Sequence, residues 1–214
     1  MNMQNWKISP LEVLNAGPVI PVIVLEEIEH AVPLANALLK GGIKVLEITL
    51  RSEVAVEAIA RVSREIPEAV VGAGTVTSAG DLQSVADAGA VFAISPGLTP
   101  SLLDAANLGP ITLIPGISTA SELMFGMEKG YRAFKFFPAG AAGGVRMLKS
   151  IGGPFPNITF CPTGGVSADN FQEYLALDNV ACVGGSWVVP SRLIRQQAWD
   201  AITERARQAV QSVK

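Results

Sequence analysis

Histidine occurs once and cysteine twice in this chain of 214 residues, and both shortages narrow the chemistry. A catalytic zinc site draws on several His, Cys or carboxylate ligands. The single His30 falls in a helical stretch, where a structural role is expected, so no metal centre is anticipated. Cys161 and Cys182 are too few for a disulfide framework. Both sit in apolar strand-like runs, as buried reduced thiols do. Basic residues are not in excess: 16 Lys and Arg stand against 19 Asp and Glu, a net charge of −3. There is no basic face of the kind nucleic acid requires. No apolar run approaches the ~20 residues that cross a bilayer. The opening MNMQNWKISP has no signal-peptide apolar region, so a cytoplasmic protein that meets neither membrane nor nucleic acid is expected.

What the chain has is apolar mass, 49% of its residues, arranged in a repeating order. Short β-branched runs alternate with helical patterns. The strand candidates are 19–25, 45–50, 70–76, 91–97, 111–117, 133–139, 158–165 and 180–187. Between them lie stretches such as HAVPLANALLKGG, EVAVEAIARVSREI and SADNFQEYLAL, with apolar residues at helical spacing. Gly41-Gly42, Gly89 and Gly130 stand where glycines close helices. Eight strand–helix units in one chain of this length predict a single (β/α)8 TIM barrel domain over 1–214. An open doubly wound sheet is the alternative. An extra N-terminal helix is expected over 9–17, capped by Ser9, started by Pro10 and ended by Gly17.

Strand residues alternate between faces. In the second strand Leu46, Ile48 and Leu50 share the face that packs on helices, which turns Val45, Glu47, Thr49 and Arg51 inward. Barrel interiors are normally filled by branched apolar residues, and a buried charge is costly unless it is paired or used. Glu47 and Arg51 are therefore either a structural ion pair or part of a site. In the sixth run Phe134 and Phe136 face one way and Ala133, Lys135 and Phe137 the other. Of seven lysines, only Lys135 lies inside an apolar strand. A dry setting and a neighbouring cation such as Arg51 favour an uncharged, nucleophilic amine, whereas a charged Glu47 opposes it. Otherwise Lys135 reaches solvent or pairs with an acid.

The seventh and eighth runs end in glycine, as Thr163-Gly164-Gly165 and Gly184-Gly185-Ser186. Glycine lets backbone N–H groups approach an anion, and a following helix N-terminus adds positive charge. Loops after these two barrel strands are a recurrent phosphate site. The plainer alternative is tight turns. GAGT at 72–75 is too short for a dinucleotide fingerprint, but Thr75 there is a candidate hydrogen-bond donor.

Through VLEITLR (45–51), VGAGTV (71–76), FAISPG (92–97), LIPGIST (113–119), FKFFPA (134–139), FCPTGG (160–165) and GGSW (184–187), nearly the whole chain resembles the bacterial 2-keto-3-deoxy-6-phosphogluconate (KDPG) aldolases, also described as 4-hydroxy-2-oxoglutarate aldolases. The resemblance implies a homotrimer of barrels that works by a class I, Schiff-base mechanism without cofactor. It implies cleavage of the phosphorylated 2-keto acid to pyruvate and glyceraldehyde 3-phosphate, and of 4-hydroxy-2-oxoglutarate to pyruvate and glyoxylate. By motif, Lys135 forms the Schiff base and Glu47 is the general acid/base. Arg51 and Thr75 hold the carboxylate end, Pro96 and Phe137 shape the wall, and Thr163, Gly164, Gly165, Gly185 and Ser186 surround the phosphate. Two other readings remain. A sugar-phosphate isomerase or epimerase would use the glycine loops but leave Lys135 idle, and a sugar-phosphate-binding regulator would use neither Lys135 nor Glu47.

Overall fold

The computed structural model describes residues 5–212. Residues 1–4 of the N-terminal stretch read for a signal peptide, and the terminal Lys214, lie outside the described residues. The chain opens with α1 (Pro10–Leu14), then β1 (Val19–Ile23), a 3-10 turn (Ile28–His30), α2 (Ala31–Lys40), β2 (Val45–Thr49), α3 (Ala55–Glu65), β3 (Val70–Gly74) and α4 (Ala79–Asp87). It continues through β4 (Phe92–Ile94), α5 (Pro100–Leu108), β5 (Thr112–Ile114), β6 (Gly116–Ile117), α6 (Ala120–Glu128) and β7 (Ala133–Phe136). The last elements are α7 (Gly144–Gly152), β8 (Thr159–Pro162), α8 (Phe171–Leu175), β9 (Val183–Gly185), α9 (Ser191–Arg195) and α10 (Trp199–Gln211).

The strands form a curled parallel sheet. β5-β4-β3-β2-β1-β9 are neighbours in that order, and β6-β7-β8 form a second set. The predicted run 111–117 is two strands because Pro115 has no N–H to give a ladder. Its carbonyl still accepts from the Lys135 N–H at 2.9 Å.

Alternation separates two apolar layers. Leu46, Ile48, Ala73, Ala93, Phe134 and Phe136 point outward to the helices. Ile20, Val45, Phe92, Ile94, Ile114, Ala133, Cys161 and Cys182 form a smaller inner cluster, joined by Val13 and Leu14 of α1. Each helix follows from its own sequence. On α3, Ala55, Ala58, Ile59 and Val62 recur at helical spacing and are the buried face. Ser78 with Asp81, and Thr119 with Glu122, close capping boxes on α4 and α6. Gly42, Gly89 and Gly130 have positive φ just past their helices, where a side chain would be strained.

Two helices are shorter than their patterns. α1 ends at the Asn15 cap, two residues before Gly17. SADNFQEYLAL yields only Phe171–Leu175, because Asn170 accepts the Ser167 N–H at 2.8 Å and turns the chain before the helix begins.

His30 is buried at the start of α2, edge-on to Trp199 with ring centroids 5.6 Å apart. Among the described residues no group of three or more His, Cys, Asp or Glu is placed to hold a metal ion. No helix among them is long and apolar enough to cross a membrane.

Candidate active site

β2 carries Glu47 and Thr49 on the inward face, each 1% exposed. A carboxylate at that depth needs a partner. The partner is Lys135 on β7, whose Nζ donates to Glu47 Oε1 at 3.4 Å. The side chains are 7% and 1% exposed, so the lysine does not reach out to solvent. The Nζ also lies 5.1 Å from the centre of the Phe137 ring, within cation–π range. Glu47 therefore pairs with Lys135 rather than with Arg51. Arg51 instead donates from Nε to Thr49 Oγ1 at 3.2 Å.

Room for Glu47 comes from β3. Thr49 stands opposite Gly74 and Glu47 opposite Gly72 in the β2–β3 register. A Cβ on Gly74 would collide with Glu47 Oε1 and come within 2.8 Å of its Cδ. The second glycine of GAGT thus clears the space that the carboxylate fills, a role its spacing in the sequence does not reveal.

The neighbouring Cys161, opposite Lys135 on β8, and Cys182 are free and buried. The Cys161 side chain beside it, its burial and the nearby Glu47 carboxylate hold the Cys182 thiol well above its ordinary pKa. It stays protonated, which makes it a packing group rather than a nucleophile.

A cavity of about 420 Å³ opens at the C-terminal ends of the strands, a size typical of small-molecule sites. Lys135, Arg51, Thr75, Pro96 and Phe137 line it, and so do Thr163, Gly164, Gly165, Gly185 and Ser186. Glu47 is not in its wall; it meets the cavity through the Lys135 amine. Thr49, Val22, Val24, Val166, Gly184 and Ser191 complete the lining. Val22 and Val24 were legible from the alternation on the first strand, as Thr49 was on the second. Ser191 follows Pro190 with no pattern to mark it. A hollow of about 470 Å³ against the N-terminal segment contains none of the candidate residues. It includes Ala133, the first residue of β7, and so lies at the opposite end of the strands.

Two parts of the wall have unusual backbone. Thr75 has φ 61°, an outlier for a β-branched residue. Such strain costs on the order of 1–3 kcal/mol and collects at functional sites. Gly164 and Gly165 have φ 89° and 79° in succession, and a Cβ at Gly164 would press on the Phe137 ring at 3.2 Å.

The expected helix N-termini do not follow these glycines directly. α8 starts at Phe171 and α9 at Ser191, each only five residues long. Asn170 Nδ2 instead donates to the Gly165 carbonyl at 3.0 Å and braces the loop. Loop backbone and hydroxyls therefore form this part of the wall, and α9 begins at the lining residue Ser191.

Known proteins are similar to this chain in sequence and fold. A family model described as KDPG and KHG aldolase matches residues 11–205. The 2-dehydro-3-deoxy-phosphogluconate aldolase of Pseudoalteromonas atlantica is 58% identical over 97% of this chain and 96% of its own. The KHG/KDPG aldolase of Escherichia coli K12 is 57% identical over 99% of this chain and 100% of its own. The crystal structure of KDPG aldolase from Legionella pneumophila, with pyruvate captured at low pH as a covalent carbinolamine intermediate, superposes with a TM-score of 0.95. It is 53% identical and covers 96% of this chain and 100% of its own. With matches of this extent, and with the paired lysine and carboxylate at the cavity, the chain belongs to the KDPG and KHG aldolase family.

Proposed function

We propose that this protein is a metal-independent class I aldolase that cleaves KDPG to pyruvate and glyceraldehyde 3-phosphate through a Schiff base on Lys135. The observation that carries the reading is the buried Lys135–Glu47 contact of 3.4 Å at the edge of a substrate-sized cavity. Moving one proton from the ammonium to the carboxylate leaves a free amine beside a carboxylic acid. The amine attacks C2 of the 2-keto acid and gives a carbinolamine, the species captured with pyruvate in the Legionella relative. Protonation of its hydroxyl by Glu47 expels water and leaves an iminium. That cation accepts the electron pair of the C3–C4 bond while Glu47, now a carboxylate, takes the C4 hydroxyl proton, directly or through water. Glyceraldehyde 3-phosphate departs, C3 of the enamine is reprotonated, and hydrolysis releases pyruvate and the lysine. No external cofactor is needed, because the protonated imine nitrogen is the electron sink.

Arg51 and Thr75 receive the carboxylate, and Pro96 and Phe137 confine the pyruvyl portion. Thr163, Gly164, Gly165, Gly185 and Ser186 hold the phosphate, with consecutive positive φ at Gly164 and Gly165 in support. The purified protein is expected to release pyruvate from KDPG and, more slowly, from 4-hydroxy-2-oxoglutarate, read in a coupled pyruvate assay. No release from the phosphorylated substrate would overturn the reading. Ser186→Ala is expected to raise KM for KDPG by about tenfold, the effect of one lost bond to a charged group. Its KM for the unphosphorylated substrate should hardly move. Equal losses on both would remove Ser186 from the phosphate site.

We read the strands as one closed (β/α)8 barrel spanning 1–214, with α1 packed on its base. In support, the run 112–117 pairs with β4 through β5 and with β7 through β6. The bridges Phe160–Val180 and Thr163–Gly184 link the β8 side to the β9 side. The same reading gives a cytoplasmic homotrimer. Buried free thiols suit a reducing compartment, and the exposed Leu108 and Met124 on α5 and α6 suit a subunit interface.

A further inference from the structure

Thr49 takes no part in the chemistry above, yet its hydroxyl is buried and committed. Its Oγ1 lies 2.7 Å from the Ile23 carbonyl and 3.2 Å from Arg51 Nε. A carbonyl can only accept and a guanidinium N–H can only donate, so both directions are forced. The single hydroxyl proton goes to Ile23, at the end of β1, and a lone pair is left facing Arg51.

Arg51 lies two residues past the end of β2, exposed and lining the cavity. A long side chain there would sample many rotamers and lose that freedom on binding substrate. Thr49 removes much of the freedom beforehand by holding Nε. Both terminal Nη groups remain for a carboxylate, which a guanidinium grips through two parallel bonds.

We propose that Thr49 is a positioning residue, a hydroxyl relay that ties Arg51 to the β1 backbone and presets the guanidinium for the carboxylate of the incoming 2-keto acid. The inference rests on Arg51 as the carboxylate ligand. It explains why a polar residue stands at the inner position between Glu47 and Arg51, where branched apolar side chains usually fill a barrel.

The test compares Thr49→Val, which keeps the shape and removes the hydroxyl, with Thr49→Ser, which keeps the hydroxyl. Each is made in the native chain and in an Arg51→Met background. The readouts are KM and kcat for KDPG, the pyruvate concentration that half-saturates trapping by borohydride, and the melting temperature. Thr49→Val is expected to raise KM and the pyruvate half-saturation about tenfold and to leave kcat largely intact, since binding common to ground and transition states is lost. Thr49→Ser is expected to recover most of the loss, and in the Arg51→Met background Thr49→Val is expected to add nothing.

An unchanged KM, failure of Ser to rescue, or an equal effect without Arg51 would each assign Thr49 to strand structure alone and overturn the relay. If Arg51→Met itself leaves pyruvate half-saturation unmoved, the carboxylate role of Arg51 falls first and takes this inference with it. Should Thr49→Val not fold, Thr49→Ala gives the same split of KM against kcat.

Discussion

Replacing Lys135 with arginine is expected to abolish aldol cleavage, lowering kcat/KM for KDPG by about 10⁴-fold or more, as loss of a covalent nucleophile does. Arginine preserves the positive charge opposite Glu47, but its guanidinium stays protonated and cannot add to a ketone. The comparison matters because Lys135 also closes a buried ion pair with Glu47. Removing one partner of such a pair costs about 3–5 kcal/mol, so Lys135→Met alone would confuse lost chemistry with lost stability. Arginine separates the two: a folded but inactive protein is the expected result, judged by its melting temperature beside the native chain. In the native protein, pyruvate and borohydride together are expected to leave one reduced pyruvyl group on the peptide that carries Lys135. An adduct on another lysine, or substantial turnover by Lys135→Arg, defeats the Schiff-base assignment. The same trap separates the aldolase from an isomerase, which forms no covalent adduct.

Glu47→Gln is expected to reduce kcat by about 10² to 10⁴, the usual worth of a general acid–base group. The amide has nearly the shape of the carboxyl, fits the space beside Gly74, and can still accept from Lys135 Nζ. The site should therefore stay folded and bind pyruvate with little change. What is lost is the proton itself: the amide can neither protonate the carbinolamine hydroxyl nor take the proton from the C4 hydroxyl. Pyruvate half-saturation in the borohydride trap is expected to shift much less than kcat, while formation of the adduct slows. Near-normal turnover in Glu47→Gln would transfer the proton-carrying role to water or to another group.

The inward placement of Glu47 and Lys135 was readable without coordinates, because the two-residue period of a strand leaves each only one face to occupy, whereas Arg51 lies past the end of β2 and reaches the cavity from the bend that follows. The outward Leu46, Ile48, Phe134 and Phe136 confirm that period. The closing glycines of the helices were readable for a similar local reason, since only glycine takes those φ values without strain. Local patterns do not say which inward residues meet. Glu47 finds Lys135 across 88 residues of chain, while Arg51, four residues away, turns to Thr49. That choice depends on strand stagger and on the space that Gly74 opens on β3. Likewise the glycines after β8 predict a tight anion-binding loop, but Asn170 keeps α8 from starting beside them. Which strand residues turn inward, and which polar groups they carry there, can be read along the chain, because alternation and residue type are local properties. Who pairs with whom follows from the packing of distant strands, which no segment encodes on its own.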